Sequence, residues 1–486
     1  MDQASFPPEA HQPLDHMAIR MIVIGTMVAM FLAALDQTIV ATALPTIGRE
    51  LRNLEHLSWV VTAYLLTSTA VTPIYGKLSD VFGRRAMLLI AISVFLVGSV
   101  LCAVAPTLLV LVVARAIQGL GGGGLISLAQ TIIGDIIPPR ERGRYQAYFT
   151  SVFVSASILG PLLGGFLSDL LHWSAIFWIN LPIGAVAFLM TNHVLKSLPR
   201  HERPHKIDIP GALLMVSATI ALLAAFSLGG SRYQWTSPQV LGLAGISILI
   251  WALFAWRLAR AAEPFFALDL LGNRVVRCAI AASFFGIGAL LGLTIYLPVF
   301  FESVMRISAS QSGMALIALM FGTVTGANIA GVIMLRVDHY KWPIVGGISL
   351  TIPLTLILVA WPVQLSLVQV EIILAGIGIG IGHIYPFATI AVQNAVPMAQ
   401  LGTATAALNF VRSLGGAIII AAFGAIFLSL GGGSINGAVL ADADLLAPAF
   451  RGVFIAAAVA FLATTAWLAA MRELPLRGRT ATPIGA

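Results

Sequence analysis

Apolar residues in this chain come in long unbroken runs, not in the three- or four-residue rhythm of a water-facing helix. Fourteen such runs begin near residues 20, 58, 86, 107, 147, 175, 209, 240, 278, 313, 343, 367, 403 and 450, and most last 18 to 25 residues, the length a helix needs to cross a bilayer. The pattern predicts an all-α polytopic membrane protein with fourteen transmembrane helices. The segments between runs are about twenty residues at most, which leaves no place for a soluble catalytic domain. Composition agrees, with 59% hydrophobic and 10% charged residues and a mean hydropathy of +0.96. The lead-in "MDQASFPPEAHQPLDH" has no basic segment ahead of a short apolar core and no cleavage site, so the first run reads as a retained span.

A net charge of +7 would suit a polyanion partner if the cations were clustered. They instead alternate. Of the 27 Lys and Arg, twenty fall at the N-terminus, in every second loop and in the C-terminal tail, from Arg20 to Arg479. The opposite side holds Arg49, Arg52, Arg232, Arg306 and Arg451, and only Arg115 and Arg412 lie inside spans. This asymmetry is the positive-inside pattern, which places both termini in the cytoplasm and makes the basicity a record of topology, with no nucleic-acid partner implied. Cys102 and Cys278 lie in or beside spans, and no disulfide, zinc, catalytic or cofactor motif appears.

Polytopic membrane proteins are often built from internal repeats, and the six runs before residue 196 correspond to the six after residue 277. Run four carries "QGLGGGGLI" and run twelve "GIGIGIGHI"; run five carries "GPLLGG" and run thirteen "RSLGGAI". The expected plan is a tail (1–17), a six-helix bundle (18–195), a linker with two additional helices (196–277), a second six-helix bundle (278–471) and a tail (472–486).

Chemistry concentrates in a few polar positions. In "MFLAALDQTIVATALP" (30–45), Asp36 interrupts an apolar run and shares a face with the small residues Gly25, Ala29 and Ala33. A charged Asp at mid-membrane costs roughly 2.5–3.5 kcal/mol on insertion scales, so it should face protein or a watery cavity. Arg115 comes out ~10 Å below the outer surface and Asp36 ~22 Å above the inner one in a core of ~30 Å, so the two share a depth. Below Arg115 lie Gln118, Gly119, Gly122 and Gly123, which read either as a cavity wall or as tight helix packing. "GLGGGG" lacks the Gly-Lys-Ser/Thr of a phosphate loop. In "GKLSDVFGRR" (76–85), Asp80 stands between Gly76 and Gly83 and beside Arg84 and Arg85, a turn whose carboxylate can hold a helix N-terminus or an arginine. "GPLLGG" places Gly160 and Gly164 at close-packing spacing, with Pro161 favouring a kink and Gly165 beside it.

Together these segments resemble the major facilitator superfamily, and within it the fourteen-helix drug:proton antiporter family, along nearly the whole chain. "LDQTIVATALP", "GKLSDVFGRR", "RAIQGLGGGG" and "GPLLGG" are similar to its first-helix, loop 2–3, fourth-helix and antiporter signatures, and "WSAIFWINLPIG" (173–184) and "LGTATAALNFVRSLGG" (401–416) match in spacing. The resemblance implies that Asp36 and Arg115 couple protons. It makes Gly76, Asp80, Gly83, Arg84 and Arg85 a conformational latch, and Gly160, Pro161, Gly164 and Gly165 the antiporter hinge. The chain departs from the pattern at Val81, where a base is usual, at Ala147 and Ala156, where glycines are usual, and at Ser413, where Gln usually follows the arginine.

Tyr64, Gln118, Asn180, Phe284, Tyr296, Asn328, His383, Tyr385, Asn409 and Arg412 are candidate cavity liners. His383 suits either a proton relay or a structural role, and Glu371 reads as an interfacial carboxylate. The expected function is proton-coupled export of amphipathic organic compounds, cationic or neutral, by alternating access across a bacterial inner membrane, with Asp36 exchanging a proton for substrate. Burial and a neighbouring cation act on a carboxylate's proton affinity in opposite senses, so such a site links its two ligands reciprocally. The partners are therefore a small amphipathic substrate, protons and membrane lipids, with the protein acting as a monomer or with a periplasmic adaptor. Export of a lipid or glycolipid on the same fold is the alternative, and a non-transporting receptor a more distant one.

Overall fold

The computed structural model describes residues 16–51, 57, 59–139, 141–197, 208–229, 233–261, 270, 272–307, 309–430 and 443–476. Most of the expected N-terminal tail, the charged linker at 198–207 and the last ten residues lie outside the described residues. In chain order the long helices are α1 (His16–Glu50), α2 (Trp59–Phe82), α3 (Arg84–Ala103), α4 (Leu108–Ile136) and α5 (Arg142–Leu170). Then come α6 (Ala175–Val194), α7 (Ile209–Leu228), α8 (Pro238–Arg260), α9 (Arg274–Ser303), α10 (Ala309–Arg336), α11 (Lys341–Ala360), α12 (Leu367–Ala395), α13 (Leu401–Ser429) and α14 (Ala443–Ala470).

Thirteen helices among the described residues are long and apolar enough to cross a membrane, one fewer than the fourteen expected. The exception is α2, a 24-residue helix whose apolar character is diluted by Thr62, Thr67, Ser68, Thr69, Thr72, Tyr75 and Lys77. Its hydroxyls are used inside the protein. Thr67 Oγ1 donates to the Ala116 carbonyl of α4 at 2.9 Å and Thr72 Oγ1 to that of Gly123 at 3.0 Å. Outer faces carry exposed apolar side chains such as Leu109, Leu162, Phe166, Phe321 and Ile372, which suits lipid and would be costly in water.

Glycines set the helix spacing, because association within a bilayer rests on van der Waals packing between closely approaching backbones. A Cβ on Gly119 would lie 2.6 Å from the Tyr64 carbonyl oxygen, and one on Gly123 2.2 Å from that of Ser68, so α4 touches α2 through bare backbone. The second set of six helices repeats the device. Gly322 and Gly326 of α10 abut the Ala375 and Ile379 carbonyls, while Gly378 and Gly382 of α12 abut those of Leu319 and Thr323. The pairing α1 with α5 recurs as α9 with α13, where a Cβ on Gly415 would lie 2.4 Å from the Phe284 carbonyl oxygen.

The first and last sets of helices meet chiefly through α2 against α13 and α5 against α10. The pair α7–α8 packs on itself and on α2 and α13, where Leu223 and Trp251 join Leu66, Phe410 and Leu414 in one apolar cluster.

In α5, a Cβ on Gly164 would lie 2.1 Å from Thr42 Oγ1 and 2.6 Å from the Ile39 carbonyl, whereas one on Gly165 would meet nothing within 4 Å. Gly164→Ala is therefore expected to cost about 1–3 kcal/mol of stability through overpacking, and Gly165→Ala to be neutral. Thermal unfolding in detergent compares them, and equal midpoints would show that the α1–α5 contact does not limit stability.

Candidate functional site

Asp36 sits near the middle of α1 and is wholly buried. Its Oδ2 accepts from Arg115 Nη1 at 2.6 Å, and its Oδ1 from Gln118 Nε2 at 2.8 Å and from Asn180 Nδ2 at 2.9 Å. The carboxylate thus ties α1 to α4 and α6. Arg115, 1% exposed, also donates from Nε to the Val60 carbonyl at 3.1 Å and from Nη1 to Gln118 Oε1 at 2.6 Å, and its guanidinium carbon lies 4.3 Å from the centroid of the Tyr64 ring. Ser99 of α3 completes the group, accepting from Asn180 Nδ2 and Gln118 Nε2 and donating to the Phe177 carbonyl. A full set of donors around one carboxylate is what makes a buried charge tolerable.

The structure brings Asp36, Arg115, Gln118, Asn180 and Tyr64 together, but not around an open groove. The bare face of Gly119, Gly122 and Gly123 is filled by α2, with the Tyr64 hydroxyl against Gly122. Of the two readings of that run, close packing is the one observed, since a residue without a side chain invites a neighbouring backbone in.

A second group joins the two sets of helices at the end bearing the basic loops. Asp80 Oδ1 accepts from the Gly402 amide at 3.0 Å, and Oδ2 from the Thr403 amide at 2.8 Å and Thr403 Oγ1 at 2.7 Å. Those amides open α13, where a helix's unpaired N–H groups and dipole favour an anion. Gly76 permits this approach, because a Cβ there would lie 2.3 Å from that of Ala406. Gly83, at φ +88°, takes a positive-φ conformation that glycine adopts without strain. Arg84 bonds Asp80, Ser79 and Asp135 Oδ2, the last at 2.8 Å. Arg85 instead bonds Asn192 of α6 within its own set of helices. Arg142, beside this group, donates to the Ile137 and Gly134 carbonyls, and burial pulls its guanidinium down to about 10, which leaves it charged at neutral pH.

A third group lies deeper, between α4, α12 and α13. Gln130 of α4 bonds the Tyr385 hydroxyl at 3.2 Å and accepts from Asn409 Nδ2 at 2.8 Å, while Gln393 Nε2 reaches the Gln130 carbonyl at 3.2 Å. Arg412, 4% exposed, donates to Asn409 Oδ1, the Tyr385 carbonyl and Thr389 Oγ1, and lies over the Tyr385 ring at 4.2 Å.

The remaining candidates are placed as follows. Gly160 abuts Thr38, whose hydroxyl donates to the Ala156 carbonyl at 2.8 Å, and Ala156 packs on Ala34 and Leu35. Helix α5 runs unbroken through Pro161, whose side chain, like that of Ala147, lies outside the described set. Phe284 packs on Phe285, and Tyr296 on Phe423 and Phe427. His383, at the bend of α12, bonds the Ile379 carbonyl at 2.7 Å and is 3% exposed. Asn328 is corrected: it is exposed on the apolar face of α10 that carries Phe321 and Val332, and bonds its own helix at Val324. Sequence reasoning missed Ser99 and Gln130. Gln130 had a usable signal, a lone amide in an apolar run.

The family model of the Major Facilitator Superfamily matches residues 26–420. The chain belongs to this superfamily. It is 32% identical over 436 residues to the multidrug transporter protein MdtP of Bacillus subtilis (strain 168), covering 90% of this chain and 80% of that one. It is 33% identical over 407 residues to multidrug resistance protein 3 of the same strain, covering 84% of this chain and 79% of that one. The crystal structure of the human organic anion transporter MFSD10 (TETRAN) aligns with a TM-score of 0.65 at 18% identity, covering 92% of this chain and 99% of that one, which bears on the fold alone. This major facilitator chain is accordingly a membrane-spanning transporter with multidrug efflux relatives, and not an enzyme.

Asp80→Ala removes the acceptor of three hydrogen bonds that cross between the two sets of helices, each worth about 1.5–3 kcal/mol where a charge takes part. In a background with Cys102 and Cys278 replaced, a cysteine introduced at the buried Leu401 should then react several-fold faster with a water-soluble maleimide. An unchanged rate would mean that other contacts hold this end shut.

Proposed function

We propose that this transporter exports amphipathic organic compounds in exchange for protons, by alternating access between the sets α1–α6 and α9–α14, with α7–α8 as an added pair. It would sit in the cytoplasmic membrane of a bacterium with both termini inside, as the alternation of basic loops suggests. The observation that carries the proton-coupled reading is the sealed Asp36–Arg115 pair, a carboxylate and a guanidinium 2.6 Å apart in spanning helices of a chain whose relatives are efflux transporters.

A proton reaching Asp36 neutralises the acid and leaves Arg115 without its counter-charge. Losing one member of a buried pair costs about 3–5 kcal/mol, enough to move an equilibrium between two arrangements of α1, α4 and α6 by about a hundred- to several-thousandfold. In this scheme substrate does not replace the proton at Asp36, as direct exchange would require, because Gln118, Asn180 and Tyr64 occupy the surroundings of that carboxylate. Proton and substrate communicate through helix packing, and reciprocity still holds between them.

In proteoliposomes with an imposed pH gradient, Asp36→Asn is expected to abolish gradient-driven accumulation while retaining substrate counterflow, which needs no net proton movement. Asp36→Asn with Arg115→Gln, which removes both charges, guards against loss from a stranded cation. Gradient-driven accumulation by either folded variant at the wild-type rate would place proton coupling elsewhere, with Glu371 the next carboxylate to replace.

A further inference from the structure

The buried charges of the two sets of helices are not balanced alike. Arg115 has Asp36 as its partner. Arg412, equally deep, has none: its hydrogen bonds run to an amide oxygen, a carbonyl and a hydroxyl, all neutral, and its Nε is buried without a partner. No described carboxylate bonds or pairs with it. A buried guanidinium is costly to desolvate and is ordinarily matched by an opposite charge, so a standing cation in an apolar interior is a feature kept against its own cost.

Its position is the second observation. Arg412 lies on α13 against Tyr385 and Thr389 of α12, and the side chains beside it, Tyr385 and Asn409, are those that bond Gln130 of α4 across to the other set of helices. In the alternation proposed above, opening the basic end withdraws Gln130 with α4 and frees two neutral groups, the Asn409 Nδ2 that donates to it and the Tyr385 hydroxyl that accepts from it, whose own O–H can then donate. The face uncovered thus offers a guanidinium, an amide and a phenol, and lacks an acid. Such a set takes an anion, and Arg binds a carboxylate or phosphate through two parallel N–H groups.

We infer that Arg412 is the recognition group for an anionic headgroup on the transported compound, so that the cargo is an amphipathic organic anion taken from the side of the basic loops. This rests on the efflux reading above and adds to it the charge of the cargo, which the sequence alone led us to expect as cationic or neutral. It also fits the energetics of exchange. An anion leaving and a proton entering both run down an inside-negative membrane potential.

The test uses the full-length protein in phosphatidylcholine nanodiscs with two probes, dansyl-aminoundecanoic acid and its methyl ester. Wild type should bind the acid more tightly. Arg412→Gln should weaken the acid by about ten- to a hundredfold, the range for a hydrogen-bonded charge, and leave the ester little changed, while Arg412→Lys should recover much of the acid affinity. Should Arg412→Gln not fold, Thr389→Asp supplies an internal carboxylate to the same guanidinium, which Thr389 Oγ1 now meets at 3.0 Å, and should remove the preference for the acid. Wild type without a preference for the acid, equal losses of acid and ester in Arg412→Gln, or an undiminished preference in Thr389→Asp would each overturn the assignment. Adding phosphatidylglycerol separates the sources of the anion: competition with the acid probe identifies a lipid headgroup, its absence a free organic anion, and both leave Arg412 as the recognition group. Proteoliposome flux of the same probes judges the efflux reading independently, since a protein that binds the acid through Arg412 but moves neither probe fails that reading alone.

Discussion

Within a bilayer no water is available to a polar group that folding leaves over, so every donor, acceptor and charge must find its partner inside the protein. This constraint explains most of the molecule's interior. It turns the threonines of α2 toward the carbonyls of α4, draws Gln118, Asn180 and Ser99 around Asp36, and makes glycine the spacing element. Where two backbones touch, no side chain is left to be satisfied and dispersion is gained along the whole contact.

The same constraint separates contacts that are permanent from those that can break. Contacts inside each set of helices are glycine-lined and dry, as between α2 and α4 or α10 and α12, and separating them would strand backbone against lipid. Contacts between the sets at the basic end add a second kind to one glycine approach, Gly76 against Gly402 and Ala406. The second kind is side-chain hydrogen bonding through Gln130, Gln393 and Asp80, made by groups whose bonds water can replace. Some are incomplete even when shut, since Gln393 Oε1 has no partner.

Much of this was legible in the sequence where a single residue violates its surroundings. Asp36 and Arg115 share a depth by residue count, and the structure joins them; Asn180 and Gln118, candidate cavity liners in the sequence, fall in the same group. Gln130 is likewise an amide in an apolar run, but no motif surrounds it. The glycine run of α4 illustrates a different limit. Its sequence declares a face without side chains, but whether space or another helix lies against it depends on Tyr64 and Ser68, fifty residues away. Asn328 likewise has a partner on its own helix, at Val324, so its polarity required no interior position. The lack of an acid near Arg412 is a property of every neighbouring helix at once, and no local stretch of sequence contains it.

On the function and the assignment proposed above, the two buried arginines let one architecture carry two ligands without mixing them. Arg115 and Gln130 lie on the same helix, fifteen residues apart, which at 1.5 Å per residue is about 22 Å along its axis. At that separation, direct Coulomb interaction between a proton on Asp36 and a charge held near Gln130 and Arg412 is weak compared with the cost of stranding either buried charge. Helix α4 spans both places as one rigid element, packed on α2 and α3 through its glycines. A shift that relieves the Asp36–Arg115 pair at one end must therefore move Gln130 at the other, and Gln130 is the residue whose bonds to Tyr385 and Asn409 close the seam. Coupling by a stiff helix between two sites needs no shared ligand, and it leaves the charge of the cargo to be set by Arg412, independently of the chemistry of the proton.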